Sequence, residues 1–411
     1  MRRVVITGIG TINPVGHNLE EAWENVKKGV CGIDFTKQID TTNFKVKVSG
    51  EVKDYDPANF LDKKEARKMD RYTQFGMIAA REAIKDSGID IEKEDPFRCG
   101  TIVSSVIGGL ITISDQTIRG YTKGYERISP FYIPMSISNM CAGEIAIDTG
   151  FKGVCECIVT ACASGNNAIG ESFHKIRDGY QDVMITGGAE GCICEMGVGG
   201  FTVMQALSTS TDPNRASIPF DAERGGFVMG EGAGILILEE LEHAKARGAK
   251  IYGEIVGYGA SCDAHHITAP DPTGAGAAGC MKMAIEDAGI EATDVNYINA
   301  HGTSTHLNDA GETKAIKAVF GDYAYKLMVS STKSMTGHLM GAAAAIEAIF
   351  TTMALKDGFV PATINYKTPD PECDLDIVPN EGREADIKYA LSNSLGFGGH
   401  NAAVLFKKFE D

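Results

Sequence analysis

Short β-branched runs alternate with helical patterns along all 411 residues, which predicts an α/β layered protein. A weak internal repeat then divides the chain near residue 250, with no low-complexity linker at the join. The third observation is glycine: 48 residues of 411, against a usual share of about 7%. There is no G-x-y period, so the excess reads as tight turns and close backbone approaches in a large folded core. Two similar βα halves, 1–250 and 251–411, packed as one molecule are expected.

In chain order, the first half opens with a strand at 3–7, running into Gly8 and Gly10, and a helix at 18–28. A long helix at 64–87 precedes strands at 100–104 and 156–160. The second of these turns sharply at Cys162 into a helix at 164–178, followed by a strand at 182–186. A strand at 234–239 and a helix at 239–247 close this half. The second half repeats the scheme: a strand at 251–259 carrying Gly257 and Gly259, a helix at 275–288, a strand at 297–300 and a helix at 310–320. A strand at 328–331 leads through Gly337-His338 into a helix at 340–356. A strand at 359–364 then stands where 182–186 stands in the first half, and strands at 389–393 and 402–406 finish the chain.

Composition excludes several functions. Hydrophobic residues at 43% and charged ones at 23% are those of a globular protein, neither disordered nor fibrous. A net charge of −16 argues against general binding to nucleic acid or anionic membranes, since both need positive surface. Eleven cysteines with no C-x-x-C pair give no zinc framework, because Cys155/Cys157 and Cys192/Cys194 are C-x-C pairs lacking a second half. They read as reduced thiols of a cytoplasmic protein. The apolar stretch after Arg2 and Arg3 is only Val4-Val5-Ile6, too short for a signal peptide. The uncharged run 389–406 contains Ser392, Asn393, Ser394, His400 and Asn401, so no membrane span is expected.

Gly8-x-Gly10 invites a dinucleotide-binding reading, but Asn13 holds the third glycine position and no acidic residue closes a second strand. Gly230-x-Gly232-x-Gly234 lacks the Gly-Lys-Ser/Thr ending of a phosphate-cradling loop. Cys162 is more promising. It lies in Thr160-Ala-Cys-Ala-Ser-Gly165, after an apolar strand and before a helix, where a sharp turn presents a nucleophile. The helix N-terminus is expected to lower the thiol pKa. His301, in Asn299-Ala-His-Gly-Thr-Ser-Thr305, and His338, in Lys333-Ser-Met-Thr-Gly-His338, also follow strands, where α/β sheets place their chemistry. His265, His266 and His306 offer further imidazoles, but no H-x-x-x-H or H-E-x-x-H pattern exists, and no metal is expected.

Four blocks together resemble the β-ketoacyl-[acyl-carrier-protein] synthases, most nearly the elongating synthase II type: those around Cys162, His301 and His338, and Asn393-Ser-Leu-Gly-Phe-Gly-Gly399. The likeness runs essentially end to end and takes in Pro219-Phe-Asp through Gly232-Ala-Gly234. It implies the thiolase-like fold, duplicated βαβαβαββ halves in a five-layer α-β-α-β-α sandwich, and a homodimer. It also implies decarboxylative condensation of an acyl and a malonyl thioester through an acyl-Cys162 intermediate, both delivered by acyl carrier protein. Phosphopantetheine then arrives on the carrier, and no separate cofactor is needed.

The resemblance assigns roles to particular residues. His301 and His338 stabilise the charge left when CO2 departs, and Lys333 and Glu347 orient His338 and its network. The N–H groups of Cys162 and Phe397 form the oxyanion hole, and Phe397 gates the cavity. Thr303 and Thr305 bind the pantetheine amides; Ile107 and Phe131 line the acyl pocket, one of the two partly across the dimer interface, and Phe201 and Thr268 contact substrate. In a basic cluster of Lys63, Lys64, Arg67, Lys68 and Arg71, the spacing puts Lys64, Arg67, Lys68 and Arg71 on one helical face, where complementary charge would dock an acidic carrier. Departures from the family pattern are Gln205 in place of a basic residue, Cys192-Ile-Cys194-Glu195, and Ala344 in place of glycine. A polyketide-type ketosynthase would share this chemistry on another carrier. A thiolase would need a second catalytic cysteine, and an inactive chain-length-factor subunit would lack Cys162.

Overall fold

The computed structural model describes residues 1–410. Ten strands form its central sheet: β1 (Val4–Ile12), β2 (Cys99–Ser104), β3 (Cys155–Glu156), β4 (Val183–Glu190) and β5 (Gly232–Glu240), then β6 (Gly253–Cys262), β7 (Tyr297–Asn299), β8 (Met328–Ser330), β9 (Tyr389–Gly396) and β10 (His400–Lys407). Their spatial order is β8-β7-β9-β10-β6-β1-β5-β4-β2-β3. Within each set of five the order is third, second, fourth, fifth, first, and the fifth strand alone runs antiparallel to its neighbours. The two sets meet where β1 pairs with β6, Val4 opposite Ile255.

Six helices complete the layers. On one outer face, α1 (Arg71–Ser87) and α2 (Met140–Thr149) pack Phe75, Ala79 and Ile145 against Ile235 and Ile237 of β5. On the other, α4 (Ala275–Ala288) and α5 (His306–Phe320) pack Met281, Ile285 and Ile316 against Ala403 and Leu405 of β10. Between the two sets lie α3 (Ser164–Arg177) and α6 (Ala343–Asp357), whose Ile169, Phe173, Ile346 and Phe350 meet Leu236, Leu238, Ala402 and Val404. The two-residue alternation of the strands thus sends one set of side chains outward and the other to the middle, giving α-β-α-β-α. Because α6 is enclosed by both sets, its residues from Ala343 to Leu355 are all buried, mostly apolar, with Glu347, Thr351 and Thr352 the polar exceptions.

The paired glycines have a packing role. A Cβ on Gly8 or Gly10 would lie 2.3 or 2.0 Å from the carbonyl oxygens of Ala83 or Ala79 on α1. On Gly257 or Gly259 it would lie 2.1 Å from Ala284 O or Cys280 O on α4. Each half therefore seats its first long helix directly on its first strand, and bare backbone is what permits that approach.

Three expected elements differ. The helix at 64–87 is two: Lys63–Ala66 ends, and Asp70 caps α1 by accepting from Tyr72 N. The strand at 156–160 shrinks to β3, since residues from Cys157 on leave the sheet to form the turn at Cys162. Phe359–Val360 is not the fourth strand of the second half; it pairs with Arg383–Glu384 in a separate ribbon, and β9 takes that place. Helices Leu110–Lys123, Tyr132–Ser136, α2 and Glu195–Val203 were not expected. All four begin without a side-chain cap.

Candidate active site

Cys162 sits half-buried at the floor of a cavity of about 380 Å³. Ala161 before it holds φ at +50°, a left-handed conformation costing about 1–2 kcal/mol in an L-residue. Ser164 fastens the turn: its Oγ accepts from Thr160 N at 2.8 Å and donates to Ala161 O at 2.6 Å. The sharp turn aims the sulfur away from the sheet, and α3 starts directly behind it.

The second half supplies the imidazoles. His301 follows β7, where Glu312 of α5 accepts from the N–H groups of His301 and Gly302, both at 2.8 Å. His338 follows β8 and is fixed by its N–H to Val228 O at 2.7 Å. Its Nε2 lies 3.0 Å from Cys162 Sγ, and the two histidine rings stand edge to face at 5.3 Å. The donor atoms of Cys162, His301 and His338 all fall within 4.8 Å of one another. Lys333 Nζ forms a buried ion pair with Glu347 of α6. Lys333 thus acts on the two histidines through its charge.

Burial governs the ionisation here. It holds both histidines well below their usual pKa, with Lys333 adding to the effect, so both rings are neutral. Nδ1 of each ring is buried without a hydrogen-bond partner among the described residues. A buried N–H lacking an acceptor costs more than a bare lone pair, which puts the proton on Nε2, toward the cavity. The lowered thiol pKa expected from the helix N-terminus is not what results. Burial pushes Cys162 up to about 11; the Lys333 charge and the N–H groups of Phe397 and Cys162 pull the other way and are outweighed. Burial likewise pushes Glu347 up to about 7, against the pull of Lys333.

Ile107, Phe201, Thr268, Thr303, Thr305 and Phe397 line the same cavity as Cys162. Thr303 and Thr305 share a hydrogen bond at 2.9 Å. Phe397 stands on a turn whose Gly398 and Gly399 have φ of +82° and +76°, and Gly398 N donates to Ile267 O at 2.7 Å. Phe131 is the exception: it lies exposed on the surface, away from its own chain's cavity. In the basic cluster, Lys63, Lys64, Arg67 and Lys68 are exposed. Arg71 does not share their face, because the break at Asp70 turns it inward onto Glu231 at 2.6 Å, between the rings of Tyr55 and Phe75.

Two supports of the site carried no signal that the spacing of residues could expose. Phe227 bridges Phe201 and His338 edge to face, at 5.5 and 5.3 Å. Glu190, at the end of β4, is pushed up to about 7 by burial and accepts from Ser105 Oγ, Val106 N and Gly341 N. It joins the loop bearing Ile107 to the one following His338. A buried acid at a strand end was the available sign.

Residues 1–244 match the model of the β-ketoacyl synthase N-terminal domain and 252–367 that of the C-terminal domain. The chain is 54% identical over 409 residues to a Staphylococcus aureus (strain COL) 3-oxoacyl-[acyl-carrier-protein] synthase 2, covering 100% of this chain and 99% of the relative. It is 50% identical over 410 residues to the synthase of that name from a Synechocystis species, with 100% and 99% covered. Among solved structures, the ishigamide ketosynthase/chain length factor superposes with a TM-score of 0.94 at 36% identity, covering both chains fully. A type II polyketide synthase acyl-carrier protein in complex with its ketosynthase, bound to the hexaketide, matches at 0.92 and 35%, covering 99% of this chain and 100% of the other.

Proposed function

The chain belongs to the β-ketoacyl synthase family, and on that premise we propose that Cys162, His301 and His338 carry its reaction, with Lys333 and Glu347 beneath them. The enzyme condenses an acyl-[acyl-carrier protein] with malonyl-[acyl-carrier protein], giving 3-oxoacyl-[acyl-carrier protein] and CO2 in fatty acid elongation. The observation that carries the residue assignment is the 3.0 Å approach of His338 Nε2 to Cys162 Sγ beside a second neutral imidazole.

The sulfur attacks the acyl thioester; the Cys162 S–acyl bond forms, the carrier S–acyl bond breaks, and the thiol proton leaves on the departing pantetheine sulfur. Nε2–H of His338 stabilises the charge growing on sulfur, and the N–H groups of Cys162 and Phe397 hold the oxyanion. Malonyl-carrier protein then enters. As its C–CO2 bond breaks, the electron pair moves toward the thioester oxygen, where His301 and His338 both donate Nε2–H. The carbanion attacks acyl-Cys162, the new C–C bond forms, and the thiolate is released and reprotonated. Two fixed donors where charge develops replace a strong base.

The carrier brings its own phosphopantetheine, and Lys63, Lys64, Arg67 and Lys68 dock it. Thr303 and Thr305 take the pantetheine amides; Ile107, Phe201 and Thr268 bound the acyl chain, with Phe131 reaching the partner's cavity in a homodimer. The protein works in the cytoplasm, and no helix among the described residues is long and apolar enough to cross a membrane. The polyketide reading rests on solved relatives at 35–36% identity, below the 54% shared with the 3-oxoacyl synthase.

Incubation with acyl-carrier protein followed by peptide mapping should give one acyl adduct, on Cys162, absent from Cys162→Ala. Adducts on Cys157 or Cys192 instead would sink the assignment. His301→Ala and His338→Ala should still accept the acyl group, the second more slowly, while CO2 release from malonyl-carrier protein falls by about 10²–10³. Unimpaired release in both would remove their role.

A further inference from the structure

We propose that Tyr258 and Asn167 are positioning residues for the nucleophile, acting through the side chain of Thr160; this deepens the reading of Cys162 given above. Tyr258 belongs to β6, in the half of the chain that does not contain Cys162. Its hydroxyl donates to Asn167 Oδ1 at 2.6 Å, and Asn167 Nδ2 donates to Thr160 Oγ1 at 2.6 Å. Both Tyr258 and Asn167 are more than nine-tenths buried. The ring reaches α3 because residue 170 is glycine: a Cβ there would lie 2.2 Å from Tyr258 Cδ2.

The far end of this chain of hydrogen bonds is mechanically placed. Thr160 precedes the strained Ala161, and its carbonyl accepts from Ala163 N at 3.2 Å across the turn. A Cβ on Gly396, beside the Phe397 gate, would lie 2.9 Å from both Thr160 O and Cys162 N. Thr160 therefore sits between the turn and the gate, and its orientation sets where the Cys162 N–H points. Ser164 holds the turn by its backbone, whereas Tyr258–Asn167 is the connection that holds it by the side chain of Thr160. A turn carrying a left-handed alanine relaxes when its ties are cut, and the sulfur then leaves the 3.0 Å contact with His338 Nε2.

The experiment measures single-turnover acyl transfer to Cys162, iodoacetamide alkylation of Cys162 against pH, and melting temperature. Tyr258→Phe keeps the ring against Gly170 and removes only the hydroxyl. It should slow acyl transfer about tenfold, a misplacement effect, and leave the KM for malonyl-carrier protein unchanged. Thr160→Val should do the same, while Thr160→Ser, which keeps the hydroxyl, restores the rate. Tyr258→Phe with Thr160→Val should be no slower than either alone, because both cut one connection. Wild-type acyl transfer in Tyr258→Phe, or equal loss in Thr160→Ser and Thr160→Val, would overturn the proposal. Additive losses in the double variant would overturn it as well. Failure of the underlying reading is distinguishable, since the unaltered enzyme would then show no acyl adduct on Cys162.

Discussion

At the scale of single residues, Lys333 organises the ionisation of the site. It is buried to 1% of its side-chain surface, pairs with Glu347, and its charge lowers the pKa of Cys162 and of both histidines. Lys333→Met removes that charge and leaves Glu347 to take up a proton and stay buried with fewer partners, which should cost about 1–3 kcal/mol of stability. The sign of the chemical effect follows from the same charge. Without it the Cys162 pKa rises beyond about 11, so the pH profile of iodoacetamide alkylation should shift to higher pH. An unshifted profile in a folded Lys333→Met would mean that its charge does not reach the sulfur. Lys333→Arg keeps the charge and should keep the profile.

Among elements, the break between Lys63–Ala66 and α1 changes what the basic cluster can do. Lys64→Glu with Arg67→Glu should raise the KM for carrier protein about tenfold at low salt and flatten its salt dependence. Arg71→Ala should leave that KM alone and instead lower stability by about 3 kcal/mol, because it removes the charge partner of the fully buried Glu231 and leaves it only the hydrogen bonds from Gln38 and Val52 N. Melting curves and carrier titrations separate the two; a docking defect in Arg71→Ala would return it to the exposed face. The periodic spacing of 64, 67, 68 and 71 could not foretell this, since Asp70 as a helix cap interrupts the period without altering it. The candidate site was legible where a strand leads into a turn: His301 lies two residues past β7, whereas Cys162 and His338 follow β3 and β8 at the end of longer connections, and the glycine pairs marked where each half repeats. Tyr258 was not legible, because a hydroxyl serving a distant turn leaves no local pattern, and Glu190 showed only as an acid at a strand end. The thiol pKa was misjudged because the helix terminus is a local feature, whereas burial is imposed by both halves together.

For the whole molecule, duplication explains why the proposed site draws on both halves: Cys162 follows the third strand of one, and the two imidazoles follow the second and third strands of the other. The sheet nevertheless ends in β3, two residues whose outer edge has no neighbour among the described residues. Around that edge the segment from the helix Leu110–Lys123 to Val159 exposes Ile118, Tyr121, Ile133, Ile137, Ile147 and Val159, with Tyr121 at 85% and Ile147 at 74%. An open strand edge beside so much exposed apolar surface is the mark of an interface, and a second copy joined about a two-fold axis would cover both at once. It would also give Phe131, 40% exposed and outside its own cavity, a place in the partner's. Sedimentation equilibrium should therefore give twice the 43.8 kDa of one chain. Ile133→Asp combined with Ile137→Asp should yield a monomer that has lost condensing activity although Cys162, His301 and His338 are untouched. A wild-type chain that sediments as a monomer at full activity would show instead that each chain completes its own acyl pocket.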